Sequence, residues 1–385
     1  MRKNYVLIII SFFMVACSRD NIGKDTNIDK ETNINKGTNE VVLGYSISSM
    51  KQIQSQLTFA SVGVGRRTSI IGDNAPRIPL TNNGYTHPSV LYYPEGFKNY
   101  KYWISLSPCF GMIMKLEDPV SFENPYIFCS NDGINWKEPM PNVNPIDTPA
   151  PSYISNGYWS DPSLLPLNGS LQLYYRGNNM TNKIISDGGL RSVVYRSSAD
   201  GQNWSKRAEL FSTLNNIGAD NESMLASPSV LQDGNLWTCY DVVYSSKKHP
   251  IESQGNQTSG FVERRQSISS TSGFNKKKTD ICQFSNRPWG PANDPWHLEV
   301  RKVNGIYFML LTTGLVAKSN GESLYLALSS DGVNFTVFPT PLFSMDTYKS
   351  SIVPIQIEEN KIVFRLYQSK KSNGSINLYE LVLRK

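Results

Sequence analysis

The chain is poor in the residues on which most site chemistry depends. Its 385 residues include only 3 His and 5 Cys. The cysteines have no metal-site spacing, which argues against a zinc module. No long stretch holds a sustained helical period, which argues against a helical fold. Nothing resembles a nucleic-acid-binding module, so no nucleic-acid partner is expected. The net charge is a modest +6. The basic clusters Lys247-Lys248 and Lys276-Lys277-Lys278 lie in polar, loop-like segments. They read as a solvated face, with a docking patch for an anionic polymer as the alternative.

Long apolar runs are also scarce. The apolar segment at residues 6–16 is too short for a comfortable transmembrane helix. It follows Arg2 and Lys3 and ends in Met14-Val15-Ala16-Cys17. That order resembles the signal and lipobox of a bacterial lipoprotein, with an ordinary secretory signal as the alternative. Residues 1–17 are thus expected to be a signal peptide, leaving Cys17 as a lipid-bearing N-terminus anchored to a membrane. Ser18 at the next position favours the outer membrane, if the host has one. Residues 18–40 are polar and Asn-rich, without the bulk to offset chain entropy, and read as a disordered tether. An exported chain sits in an oxidising compartment. Cys109 and Cys129 are close in sequence and are the favoured pair, with four buried thiols beside Cys17 as the alternative.

What remains, residues 41–385, carries one phrase written five times. The openers are Thr86-His87-Pro88-Ser89-Val90, Ser160-Asp161-Pro162-Ser163-Leu164, Ser227-Pro228-Ser229-Val230, Trp296-His297-Leu298-Glu299-Val300 and Lys349-Ser350-Ser351-Ile352. From Pro88 through Pro162, Pro228, Leu298 and Ser351 the steps are 74, 66, 70 and 53 residues. A strand-rich unit at such a period predicts an all-β, five-bladed propeller. A second phrase supports it: Ser130-Asn131-Asp132-Gly133, Ser198-Ala199-Asp200-Gly201 and Ser330-Asp331-Gly332, each followed by an aromatic (Trp136, Trp204, Phe335). Asp-Gly is a tight-turn signal because Gly takes positive φ without steric cost. A worn copy sits at Ser270–Phe274.

The first strand of each propeller blade lines the axis. Aligned openers place His87, Asp161, Ser227, His297 and Lys349 at one level. Two residues deeper on the same strand face lie Ser89, Ser163, Ser229, Glu299 and Ser351. Two of the chain's 3 histidines meet an aspartate there. Asp161 and Glu299 are therefore the candidate catalytic carboxylates, with Glu222 as an alternate acid. His87, His297, Ser227, Lys349 and Asp294 are candidate substrate-binding residues. Trp159 and Trp296 are candidate sugar platforms, with inter-blade packing as the alternative. Glu123 reads as structural. Arg176 either orients a carboxylate or faces solvent. No cofactor is required, although His87, Asp161 and His297 are able to ligate a divalent ion.

The openers and the Asp-Gly turns resemble the five-bladed propeller shared by arabinanases, β-xylosidases and invertases, over residues 80–385. Ser160-Asp161-Pro162 resembles the Asp-Pro that opens a blade in those enzymes. The resemblance implies a glycoside hydrolase or related glycan-active enzyme, with a non-catalytic glycan-binding protein as the alternative. It implies a carbohydrate partner and an axial Asp that tunes pKa, at Asp161. The chain departs from that pattern at His87, where the family's general base stands, and at Ser227, where its acid stands. His-Pro-Ser-Val with Pro-Trp-His-Leu-Glu-Val is also similar to a divergent branch of phage and bacterial surface proteins with its own axial set.

Overall fold

The computed structural model describes residues 40–60, 84–108, 123–141, 143–147, 158–179, 190–212, 224–245, 259–272, 274, 280–290, 293–315 and 320–385. All regular structure among them is β. The signal peptide, Cys17, the tether up to residue 39, Glu222 and Cys109 lie outside the described residues. No helix among the described residues is long and apolar enough to cross a membrane.

Three strands precede the first opener: β1 (Val41–Val42), β2 (Tyr45–Gln54) and β3 (Thr58–Phe59). Blade one holds β4 (Tyr85–Phe97), β5 (Tyr100–Pro108) and β6 (Tyr126–Ser130), with β7 (Asn135–Trp136) at its outer edge. Blade two is β8 (Tyr158–Leu167), β9 (Ser170–Asn179), β10 (Leu190–Ser198) and β11 (Ala208–Ser212). Blade three is β12 (Met224–Asp233), β13 (Leu236–Ser245), β14 (Ser259–Ser267) and β15 (Asp280–Ile281). A linking strand, β16 (Gln283–Ser285), leads to blade four: β17 (Asp294–Val303), β18 (Ile306–Leu315), β19 (Asn320–Ser329) and β20 (Asn334–Val337). Blade five is β21 (Ser351–Glu358), β22 (Lys361–Ser369) and β23 (Ile376–Arg384). It is completed by β2 and β1 from the other end of the chain, in the order β1-β2-β23-β22-β21. Sequence-distant strands thus share one sheet and close the toroid. The five-bladed propeller expected from the repeat is the observed fold.

Apolar side chains gather in the seams between blades rather than in one central mass. Trp296, Leu298 and Met309 of blade four meet Tyr240 and Val262 of blade three. Trp103 and Ile127 of blade one meet Leu173 and Tyr175 of blade two. Each blade therefore needs apolar residues on both faces, and its inner strands read as nearly continuous buried runs. Trp159 and Trp296 are seam residues of this kind. Trp159 is 6% exposed, with the Arg207 guanidinium 4.2 Å from its ring centre. Trp296 is 3% exposed and meets His297 edge-on at 5.5 Å. Inter-blade packing, not an open sugar platform, is the role their burial supports. Cys129, Cys239 and Cys282 are buried free thiols, which replaces the expected pairing of Cys129 with Cys109.

The repeated turn is a clamp on the preceding blade. In all three full copies the Ser hydroxyl accepts the Gly N–H and donates to the Asp carboxylate. The Asp in turn accepts two backbone N–H groups and an Asn amide, as at Asp331 with Val333 and Asn334. Burial pushes the Asp132 and Asp200 carboxyls up, but these bonds together outweigh it and hold both down at about 2. The worn copy starts earlier than expected, at Ser267, whose hydroxyl accepts the Ser269 N–H. The turn glycines face a neighbouring blade: Tyr240 Oη donates to Gly332 O at 2.8 Å. Gly201, at φ +76°, leaves no room for a Cβ against the buried Trp103 ring. Gly201→Ala is expected to lower stability by about 3 kcal/mol, since it combines left-handed strain with a clash against a buried ring. Urea denaturation of the two proteins measures it; an unchanged midpoint contradicts the clamp.

Candidate functional site

The first four openers each carry a break in register of the β-bulge kind, between Thr86 and Ser89, Ser160 and Ser163, Leu225 and Ser227, and Pro295 and His297. Bulges re-aim side chains. His87 and Asp161 sit at the bulge in the left-handed region, at φ 55° and 53°. Non-glycine residues pay for that conformation, so the strain here is held in place by the neighbouring structure.

Just below the bulges a ring of side chains ties the blades together. Ser89 Oγ accepts Leu164 N–H at 2.9 Å, Ser163 Oγ accepts Val230 N–H at 3.0 Å, and Ser229 Oγ accepts Val300 N–H at 3.0 Å. Glu299 Oε2 then accepts Ile352 N–H at 2.7 Å, and Ser351 Oγ accepts Val90 N–H at 3.0 Å. Every blade thus receives a bond from the next, and the circuit closes. Glu299 Oε1 also accepts from Ser89, Ser351 and Arg301, the last at 2.6 Å. Both carboxylate oxygens are committed to this ring. Burial pushes the Glu299 carboxyl up, against the pull of Arg301. The expected working carboxylate is placed as the fourth blade's ring member.

The level above the ring brings together residues far apart in sequence. Asp161 Oδ1 lies 3.0 Å from His297 Nδ1 and 3.7 Å from His87 Nε2. Asp161 Oδ2 pairs with Arg176 at 2.8 Å, which settles the open reading of that arginine in favour of a carboxylate partner. All four side chains are buried. Thr86 Oγ1 donates to Ser107 O at 3.0 Å, so it accepts from His87 Nδ1 at 3.1 Å. This assigns the proton to Nδ1 and leaves a bare, buried Nε2 lone pair facing Asp161. Tyr348 lies against both imidazoles, with ring centres 5.0 and 4.4 Å away.

Burial lowers the pKa of His87 well below its usual value and lowers that of His297, against the pull of Asp161, so both stay neutral. Burial alone would raise Asp161. Arg176 and the two histidines outweigh it and hold the carboxyl well below the usual range. An ionised Asp and two neutral imidazoles are the ligand states a divalent ion requires. Their ligand atoms all lie within 4.8 Å of one another. The 3.0 and 3.7 Å separations match ligands sharing one ion at about 2.1 Å. The donor set therefore fits a metal.

Glu123 is the site residue that sequence reasoning placed elsewhere. It is buried, its carboxyl bonds the Ser160 side chain, and its charge is felt by Asp161 and Arg176. Burial pushes it up to about 8, so it is protonated at neutral pH. The signal for it was a carboxylate directly ahead of Tyr126–Ser130, a strand buried along its whole length. Lys349 crosses the axis to donate to Pro162 O at 2.9 Å, and burial lowers its amine to about 8. Ser227 is buried at the same level, its N–H donating to Asp241 Oδ1 at 3.0 Å. Asp294 stands apart, with Arg287 at 3.6 Å and partial burial.

No family model matches the chain. Over 282 residues it is 26% identical to an A type blood N-acetyl-alpha-D-galactosamine deacetylase of Flavonifractor plautii, covering 67% of this chain and 35% of the relative. The chain thus spans about a third of the length of the curated relative it matches. Among solved structures, an N-acetylgalactosamine deacetylase from F. plautii in complex with blood group B trisaccharide aligns with a TM-score of 0.63 at 17% identity, covering 87% of this chain and 95% of that one. A GH93 alpha-L-arabinofuranosidase of Fusarium graminearum aligns at 0.49 and 16%, covering 81% and 79%. The resemblance to carbohydrate-active five-bladed propellers holds at the level of the fold.

Two outcomes are expected. Glu299→Ala leaves Arg301 without its carboxylate and opens the ring, and should cost about 3–5 kcal/mol in chemical denaturation. Glu123 and Asp241 keep protons in the folded protein, up to about 8 and about 7, where the unfolded chain has lost them. The folded state then binds more protons, so stability falls as pH rises from the ordinary carboxyl range toward those values. Glu123→Gln should flatten the fall in Tm between about pH 5 and about pH 8.

Proposed function

We propose that the chain is a metal-assisted hydrolase that removes the acetyl group from an N-acetylated sugar held at the propeller axis. The observation that carries this reading is the convergence of His87, Asp161 and His297, whose ligand atoms lie within 4.8 Å of one another. A divalent ion bound there would polarise the amide carbonyl and lower the pKa of a coordinated water. Arg176 fixes the orientation of Asp161. Glu123, protonated at neutral pH, holds the proton that the departing amine nitrogen needs as the C–N bond breaks. Acetate and the free amino sugar are the products. The deacetylase relative supports the same chemistry.

Glycoside hydrolysis is the second reading, and one observation favours it. An ionised Asp161 beside a protonated Glu123 is the split in pKa that two-carboxylate hydrolysis uses. Against it, Asp161 is engaged by Arg176 and His297, and Glu299 by the ring. The order of Arg2, Lys3, the apolar segment and Cys17 supports an exported propeller tethered to a bacterial membrane by lipid.

Acetate release from N-acetylated oligosaccharides tests the first reading. It should vanish with a chelator, return with a divalent cation, and drop at least about 100-fold in Asp161→Asn and His297→Ala. Reducing ends without acetate would instead establish glycoside hydrolysis. For the anchor, Cys17→Ser should move the protein from the membrane to the soluble fraction of a bacterial host.

A further inference from the structure

Blade three contributes a second buried polar group that the proposed chemistry does not use. Asp241 on β13 faces Pro228 of the third opener across the ladder, and faces Glu263 of β14 on its other side. It is 1% exposed. Its Oδ1 accepts the Ser227 N–H at the bulge. Among the described residues its Oδ2 has no hydrogen-bond partner, and neither has the hydroxyl of Ser227, which is fully buried. Glu263 has its own cation, Arg265 at 2.8 Å. Ser227 at the bulge and Asp241 on the facing strand are thus joined by one backbone bond, at the level of Lys349, His297, His87 and Asp161.

Native proteins rarely leave buried polar atoms bare, and such a group needs an explanation. A purely structural Asp would have both oxygens occupied. Here one oxygen sets the local backbone while the other remains open, and the Ser227 hydroxyl is able both to donate and to accept. We infer that Asp241 Oδ2 and Ser227 Oγ form a specificity cradle that binds hydroxyl groups of a neutral pyranose at the propeller axis. One sugar hydroxyl exchanges a bond with the open Asp241 oxygen and a second one with the Ser227 hydroxyl. Uronic and sialic acids are disfavoured, because their carboxylate would be buried against the Asp241 carboxyl while the nearby Arg265 is already paired with Glu263. The inference rests on the glycan reading for its ligand class, and it names the wall that recognises the sugar rather than the group that cleaves it. A trapped water is the competing occupant.

The test uses the full chain and N-acetylgalactosamine as the probe, with glucuronic acid as the charged comparison. Calorimetry reads binding and acetate release reads turnover. Asp241→Asn keeps an acceptor for the Ser227 N–H but leaves a group at the open position that donates and cannot accept; Ser227→Ala removes the hydroxyl alone. Each is expected to weaken sugar binding, or raise KM, by about 10-fold or more, with kcat changed far less and the Tm nearly unchanged. Unchanged sugar affinity in two folded variants overturns the cradle and leaves deacetylation standing. Affinity lost in both variants, in a wild type that binds sugar but releases no acetate, supports the cradle and overturns deacetylation. A wild type that binds glucuronic acid as well as the neutral sugar overturns the cradle, and a wild type that binds neither overturns both.

Discussion

One circuit of hydrogen bonds governs this molecule. Five blades each offer a side-chain oxygen to a backbone N–H of the next, through Ser89, Ser163, Ser229, Glu299 and Ser351. Singly, each such bond contributes about 1 kcal/mol. Together they set the rotation and height of every innermost strand relative to its neighbours. Apolar seams hold the blades together without specifying register, because dispersion and burial are not directional. The ring supplies that direction. The level above it, where chemistry is possible, is registered by the same bonds.

Glu299 shows what happens when the pattern is broken at one blade. A carboxylate replaces the serine, reaches two atoms further, and collects Ser89, Ser351 and Arg301 as well as the backbone. Burying a charge is tolerable only when it is paired and fully bonded. Arg301 meets that need and also donates to Val90 O and Ile352 O, drawing three blades together at one point. The same rule operates above it. Asp161 stays ionised in a dry environment because Arg176 and two imidazoles surround it. At Glu123 burial outweighs the pull of Ser160 and Arg176, and it retains its proton. Two carboxyls in one neighbourhood therefore hold opposite charge states, set by partners rather than by residue type.

Closure explains why the axis can hold strained groups. His87 and Asp161 adopt left-handed backbone conformations within bulges. An open sheet could relax them; a toroid sealed by β2 on β23 cannot without shifting its neighbours. The Asp-Gly turns reinforce this from outside, with Arg264 bonding Asp331 O and Arg365 bonding Asp132 O on adjacent blades.

The period of the openers and the identity of the Asp-Gly turns were legible as sequence, since both are local phrases whose chemistry recurs. So was the shared level of His87, Asp161, Ser227, His297 and Lys349, because strand alternation carries alignment inward. The role of Glu299 was not: alignment placed it on the axis, but only the neighbouring blade's N–H and Arg301 show its oxygens to be occupied. Glu123 and Asp241 were hidden for the converse reason. Neither stands in an opener, and their environments arise from strands that come close only when the ring closes. The same holds for Trp159 and Trp296, whose faces are covered by groups distant in sequence. The amino-acid order by itself determined repeat, blade count and which residues meet, through periodicities of two and of roughly seventy. The tertiary structure alone decided which groups are charged, which oxygens are spent and which remain open, because desolvation and pairing are properties of a three-dimensional neighbourhood.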